Sequence, residues 1–544
     1  MTLCFIEPSP LFPTLQLPVR SWLQSCAAQR YTVSKIYMFG VKMKTLVVSL
    51  IFCLMVLSLA SRSEAACGGS GLNRVAASPS QNDVTDCINA APDGATISVP
   101  AGSATWSGII TTSTTSDHVI SGAGSSSTII TCSGTCMHVS TQRTIRITGF
   151  TFTGTDVGFD IGPNDTAGAG KTVRIDHNSI SVSGSNWGTI QVSGGTVPAR
   201  HPTVLIDNNT LTNMTVKTTC TNFLRSESAA QDQCWAQQTD LGGGTEVTYV
   251  EDNVMNNTVF HPNWSDGNTG ARYVVRFNSM TGHASGIEVH SVQEDNRAVQ
   301  RWEFYKNTLT KPDTSSGYPV GFIRGGTGVA WGNRANNNFG SNGFLLDNIR
   351  SQTDLGVQTD GVNVGGCDGT SNWDQNTPGM SGYVCRDQIG RSRDLTVWSP
   401  GNAYTQVFSP AYFWDNLTGT TQTPMQISDA CGQGTCFPYP GHNPLDIVQN
   451  RDFHSYTASF NGTAGVGMGS LSARPTTCTV GVAYWATDQG KWNSRQSGPN
   501  GQLYKCTATN TWSLYYVPYT YPHPLQSGSI HVPTAPTNLR ITQE

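Results

Sequence analysis

VRIDHNSI (173–180), VLIDNNTL (204–211), TYVEDNVM (248–255), VVRFNSM (274–280) and EFYKNTL (303–309) are five copies of one pattern. Alternating apolar residues lead to an asparagine, then mostly a small or polar residue, then another apolar one. The markers are Asn178, Asn209, Asn253, Asn278 and Asn307, at gaps of 31, 44, 25 and 29 residues. Alternation around a fixed turn residue predicts strands with one inward face, and a unit unable to bury its own apolar side must stack on copies of itself. The shorter gaps match one coil of a β-helix. The longer ones match a coil plus an inserted loop, one of which holds Cys220 and Cys234. Asparagine tolerates the left-handed turn conformation, and its amide can hydrogen-bond up a stack of equivalent positions. Hairpin turns of a β-sandwich are the alternative; the constant register of the turn favours an all-β, right-handed parallel β-helix.

A second strand family lies between the markers: GFDIG (158–162), GTIQVS (188–193), SGIEVHS (285–291) and VGFIRGG (320–326). With Ile161, Val192, Val289 and Ile323 inward, period-two geometry sends Asp160, Gln191, Glu288, His290, Phe322 and Arg324 outward on one shared face. That face is the candidate groove.

Upstream, SQNDVTDCINAA (80–91) has helix start signals and apolar spacing, which predicts a short helix capping the open end of the solenoid. DGATISVPAGSATWSG (93–108) then begins the coils. Together with the RIDHN-type coils and GYVCRDQIGR (382–391), these stretches resemble the pectin-lyase-like superfamily over about residues 67 to 470. The resemblance implies a parallel β-helix and catalysis on uronic-acid polysaccharides, commonly by β-elimination. RIDH (174–177) is similar to the Trp-Ile-Asp-His stretch of pectate lyases but lacks the Trp. Of the polygalacturonase-type hydrolase motifs, only TDG at 359–361 has a counterpart.

Charged residues are only 12% of the 544 and the net charge is −4, which favours neither nucleic acid nor a membrane surface as partner. Lys42, Met43 and Lys44 precede an apolar run, Thr45 to Ala60, and small residues follow to Ala66. This is the plan of a signal peptide over 43–66, with 1–42 a start-site extension; the run is short for a membrane anchor. Cys67 raises a lipoprotein alternative, against which Glu64 stands where an aliphatic residue is expected. A secreted or periplasmic monomer is expected. Three of the 15 cysteines precede Cys67, and the other 12 suggest neighbouring disulfides: Cys67/Cys87, Cys132/Cys136, Cys220/Cys234, Cys367/Cys385, Cys431/Cys436 and Cys478/Cys506. A zinc site at the short spacings is the rival, although no CxxC or paired histidines accompany them.

The repeat fades near residue 425, and residues 471–526 are aromatic-dense: Tyr484, Trp485, Trp492, Tyr504, Trp512, Tyr515, Tyr516, Tyr519 and Tyr521. Exposed, they would stack on sugars as a carbohydrate-binding module; buried, they would seal the last coil. Residues 527–544 read as a linker or tail.

β-Elimination needs the sugar carboxylate neutralised, a base for the adjacent carbon acid, and help for the leaving oxygen. Arg272 and Arg301 each lie six residues before a marker, so they should stack on adjacent coils, with Glu288 and His290 on the intervening outer strand, Arg324 on the next and Asp266 just upstream. The expected catalytic groups are His290, Arg301 and Arg324. Arg272 and Phe322 are expected to bind substrate, and Asp266 with Glu288 are possible calcium ligands. Each has a plainer reading: Arg272 and Arg301 as salt-bridge partners of Asp266 or Glu303, His290 as a surface histidine. A second candidate is QTDGVNVGGCDG (358–369) with Arg386, Asp387 and Arg391, where Asp360 and Asp368 bind calcium or cap turns. A polysaccharide lyase is the leading expectation, then a glycoside hydrolase, then a non-catalytic adhesion solenoid.

Overall fold

Ile97, Ile120, Ile147, Ile175, Ile206, Val250, Val275, Phe304, Ala330 and Phe413 are partners in register across successive parallel strands. All are buried. This column forms one wall of a parallel β-helix. The computed structural model describes residues 67–162, 167–184, 186–194, 200–220, 241–260, 263–290, 298–347, 387–393, 406–428 and 447–527. Three long sheets of 13, 11 and 10 strands run along the axis, and the chain visits each once per coil. In one coil, Arg272–Arg276 lies in the 13-stranded sheet, Ser279–Thr281 in the 11-stranded sheet and Ile287–Val289 in the 10-stranded sheet. We call the first the marker sheet, because its strands end at the asparagines, and the third the groove sheet.

The asparagines form a continuous ladder. The side-chain Oδ1 of Asn209 accepts from the backbone N–H of Asn178 at 3.0 Å, while its Nδ2 donates to Oδ1 of Asn253 at 3.1 Å. The same exchange joins Asn253 to Asn278, Asn278 to Asn307, Asn307 to Asn333 and Asn333 to Asn416. Each amide thus satisfies a buried turn N–H that no strand partner reaches. Asn333 and Asn416 are two rungs beyond the five expected; both follow the same apolar pattern, in VAWGN and YFWDN. The left-handed conformation, however, falls one residue earlier. His177, Asn208, Asp252, Phe277, Lys306 and Asp415 have φ of 52° to 58°, and Gly332 holds the place before Asn333. The marker is therefore selected by its amide hydrogen bonds and not by its backbone freedom.

The expected cap is the helix Gln81–Ala90. The Ser80 hydroxyl accepts from the backbone N–H of Asp83, and Val84, Cys87 and Ile88 are buried against the first coil. Disulfides Cys67–Cys87, Cys132–Cys136 and Cys478–Cys506 form as the spacing suggested. The Cys67–Cys87 disulfide uses the thiol that a lipid anchor would need, and the Cys132–Cys136 disulfide removes the zinc alternative at that spacing. Cys220 is also disulfide-bonded; Cys234, Cys367, Cys385, Cys431 and Cys436 lie outside the described residues, as do the leader, the tail and residues 358–369. Among the described residues no helix is long and apolar enough to cross a membrane.

Much of the aromatic region is buried, but against the side of the solenoid. Residues 466–516 fold into a four-stranded sheet, and Trp485, Trp492, Tyr516 and Tyr521 plate the outer flank of the marker sheet. Trp485 packs on Trp331 and Trp414 at 4.8 and 5.1 Å, and Trp331 lies parallel to Tyr305 at 4.7 Å. Tyr484, Trp485, Trp492, Tyr516 and Tyr521 are buried. These side chains build a second hydrophobic core outside the solenoid. Burying a side chain of this size contributes roughly 1.5–3 kcal/mol.

Candidate functional site

On the groove sheet, period-two alternation works as the sequence implied. Ile161, Val192, Val289 and Ile323 are buried in the solenoid core. The intervening residues form an outward row in register: His138, Asp160, Gln191, Lys217, Asp266, Glu288 and Phe322. At ~4.8 Å between strands the row spans about 29 Å. Its first half is partly open to solvent. His138 and Asp160, each about a third exposed, pair at 3.1 Å, and Lys217 is similarly exposed.

The second half closes into a buried polar knot. His290 Nε2 lies 2.8 Å from Asp266 Oδ1 and 3.3 Å from Glu288 Oε1. Arg324 Nη1 donates to the same Glu288 oxygen, and Asn263 Nδ2 donates to the other. Lys217 Nζ stands 3.9 Å from Asp266 Oδ2. The guanidinium of Arg324 also covers the Phe322 ring, 4.7 Å from its centroid. Beneath the knot, the Tyr273 hydroxyl donates to the Glu288 carbonyl at 2.5 Å. Burial, then Asp266 and Glu288, hold this phenol well above its ordinary pKa, so it acts as a donor and not as a base.

Asp266, Glu288, His290, Arg324 and Phe322 are thus brought together. Arg272 and Arg301 are not on this face. They are in register with each other, as their common offset from the markers implied, but on the outer side of the marker sheet. Arg272 donates to Gln300 at 2.6 Å and lies 3.6 Å from Glu246, while Glu303 accepts from Gly242 N–H and the Tyr516 hydroxyl. Neither arginine forms an ion pair with Asp266 or Glu303 within bonding distance among the described residues, although the charge of Arg301 acts on Glu303 against the rise that burial imposes on its pKa. RIDH is likewise a marker-sheet element: Arg174 pairs with Asp207 at 2.8 Å and Asp176 takes Arg146 and His177. Of the second candidate region, Asp387 accepts from Ala298 N–H and Arg391 lies over Phe408, both buried. Asp360, Asp368 and Arg386 lie outside the described residues.

Sequence reasoning missed Lys217, Asn263 and Tyr273. Lys217 had a signal: in MTVKTT (214–219), Val216 and Thr218 alternate inward, which places Lys217 outward beside Gln191. Asn263 comes from the connection before its strand, where no period applies.

The donor atoms of Asp266, Glu288 and His290 all lie within 4.8 Å of one another, so the group could hold a metal ion. Calcium takes six to eight oxygen ligands. Here one donor of three is an imidazole nitrogen, and both carboxylates already face cations of the protein. The set matches calcium poorly.

Compared with protein-family models and with curated proteins, the chain matches none.

Proposed function

We propose that this chain is an exported, pectin-lyase-like protein that acts on a uronic-acid-containing polysaccharide, cleaving it by β-elimination at the knot on the groove sheet. The observation behind this reading is the register row itself: an open polar track along the solenoid axis that leads into a buried cluster of acid, base and guanidinium. A linear polymer laid along the axis meets Asp160, Gln191 and Lys217 before it reaches the knot.

Arg324 supplies the fixed positive charge that pairs with the sugar carboxylate, a geometry suited to its planar fork. His290, oriented by Asp266 and Glu288, moves the proton. The C–H bond next to the carboxylate breaks, its electron pair forms the carbon–carbon double bond, and the glycosidic C–O bond opens as the leaving oxygen takes a proton. Phe322 offers its ring to a neighbouring sugar. In this role Asp266 and Glu288 position His290, and no step passes through calcium.

A glycoside hydrolase is the second reading, favoured by one observation: Asp266 and Glu288 are register partners on adjacent coils, and paired carboxylates carry out glycoside hydrolysis. Incubation of the mature protein with pectate, alginate and other uronans, with and without chelator, separates the readings. New ultraviolet absorbance with new reducing ends supports the lyase. Reducing ends alone support the hydrolase. Retention on the polymer with neither product reduces the protein to an adhesion solenoid and overturns both.

A further inference from the structure

The two faces of the four-stranded sheet over residues 466–516 differ. Trp485, Leu503 and Tyr516 are partners in register across its strands, and this row packs on the solenoid. The neighbouring row, Tyr484, Tyr504 and Leu514, points the other way, because successive strand residues face opposite sides. On that side Leu514 is exposed and Tyr504 and Trp512 are partly exposed. Trp512 is the partner of Cys506 and packs with Phe460 against the Cys478–Cys506 disulfide.

Both rings have their polar atoms engaged. Gln502 donates to the Tyr504 hydroxyl at 2.8 Å, and Trp512 Nε1 donates to the Pro475 carbonyl at 2.8 Å. Arg474, which follows the helical turn Leu471–Ala473, places its guanidinium over both, 4.6 Å from the Tyr504 centroid and 5.2 Å from that of Trp512. Ring faces attract a cation but supply no acceptor for the five N–H groups of the fork. Among the described residues Nη1 has no hydrogen-bond partner, and Arg474 itself is partly exposed. The one acid within residues 471–526 is Asp488, whose Oδ1 accepts from the Leu471 N–H at 2.8 Å. Arg474, Lys491, Arg495 and Lys505 fall in the same stretch, in a chain of net charge −4. Positive charge is thus concentrated in this module of an otherwise acidic protein.

We infer that Arg474, backed by Tyr504 and Trp512 on the side of the module turned from the solenoid, is a second polysaccharide contact that takes the carboxylate of one uronate unit. The choice of a uronan rests on the function proposed above. A guanidinium fork matches a carboxylate in paired hydrogen bonds, and the exposed Leu514 adjoins it as an apolar surface for the face of a sugar ring. A neutral sugar would leave the charge unmet. The contact is separate from the knot and holds the polymer without reacting with it.

Affinity electrophoresis of the full chain through gels containing pectate, fully methyl-esterified pectin or dextran sulfate tests the site. Pectate should retard the wild type, and the esterified polymer, which lacks the carboxylate, should do so less. Arg474→Gln should raise the apparent Kd for pectate roughly tenfold, equivalent to one charge-assisted hydrogen bond. Arg474→Lys, with the charge but not the fork, should fall between. Arg143→Gln removes a positive charge on a distant coil, where Arg143 reaches only the Thr114 carbonyl, and should match the wild type. A cooperative thermal transition checks that each variant is folded. Equal retardation of the wild type and Arg474→Gln by pectate would overturn the site. Equal retardation of the wild type by pectate and esterified pectin, or an equal loss on dextran sulfate in Arg474→Gln, would overturn the uronate as its ligand. Because retention and not product is read, failure of the lyase reading leaves this test intact.

Discussion

Two of the buried ionic clusters among the described residues lie on different sheets of neighbouring coils, and their surroundings differ. On the marker sheet, Arg276 is fully buried. It donates to Glu251 at 2.5 Å, to the Tyr305 hydroxyl at 2.8 Å, and to the carbonyls of Tyr519 and Thr520 at 2.7 and 3.0 Å. The rings of Tyr249 and Tyr521 enclose it. Glu251 in turn accepts from His523 N–H and Gln526. Its contacts to Tyr519, Thr520, Tyr521, His523 and Gln526 join the solenoid to its own C-terminal segment. The knot of Asp266, Glu288, His290 and Arg324 instead stands at the end of a partly open row. Burial of charge alone therefore does not single out a functional site; the proposed one rests on the continuity of the row with solvent.

The clasp should break hardest. Arg276→Met leaves Glu251 buried beside no cation and strands two carbonyls, and removing one partner of a buried pair costs about 3–5 kcal/mol. Equilibrium denaturation should show that loss together with early release of the C-terminal sheet, seen as increased Trp485 and Trp492 exposure. A loss below about 1 kcal/mol would mean that the aromatic packing alone holds the module.

Arg324→Met provides the contrast. Glu288 keeps Asn263 and His290, so the expected stability loss is smaller, about 1–3 kcal/mol, while double-bond formation on uronans should vanish. Unchanged product formation would remove Arg324 from the proposed reaction.

These two clusters were not equally legible in the sequence. The knot follows from counting by two along strands whose register the asparagines fix, and Glu288, His290 and Arg324 needed nothing else. Arg272 and Arg301 came instead from their offset to the marker, which gives the coil edge and not the sheet that a side chain faces. The clasp left no local trace. Arg276 meets Thr520 across 244 residues, and no periodicity links two segments so far apart. Gly332 before Asn333 and the long insertion before Asn416 hid the last two rungs, although the amide chemistry there is unchanged.

Acid should loosen the clasp. Burial first, then Arg276 and Arg174, hold His523 well below its usual pKa of 6.5. The unfolded chain takes up that proton below about pH 6.5, whereas the fold refuses it until far lower pH. Stability present above 6.5 is therefore lost as pH falls. Burial raises Glu251 and Glu303, which act with the opposite sign and favour the fold once pH drops below their folded values. His523→Gln should flatten the acid limb by up to one proton, about 1.4 kcal/mol per pH unit, in Tm-derived stability between pH 6.5 and 5. An unchanged slope would assign the acid limb to His201 and His454, whose pKa values burial lowers to about 3 and about 4.

The smallest effect belongs at the open end of the row. His138 and Asp160 pair at 3.1 Å while each remains about a third exposed, and exposed ion pairs contribute only about 0–1 kcal/mol. A double-mutant cycle with His138→Gln and Asp160→Asn should therefore return a stability coupling within that range. If these residues hold the pair for themselves, affinity for a uronan should be as indifferent to the changes as stability is. If the row is a track for polymer, Asp160→Asn should strengthen retention on an acidic polysaccharide, because it removes a repelling charge, and His138→Gln should weaken it, because it removes an imidazole that faces the polymer. Opposite effects on retention from two changes that barely alter stability would separate a binding row from a structural one.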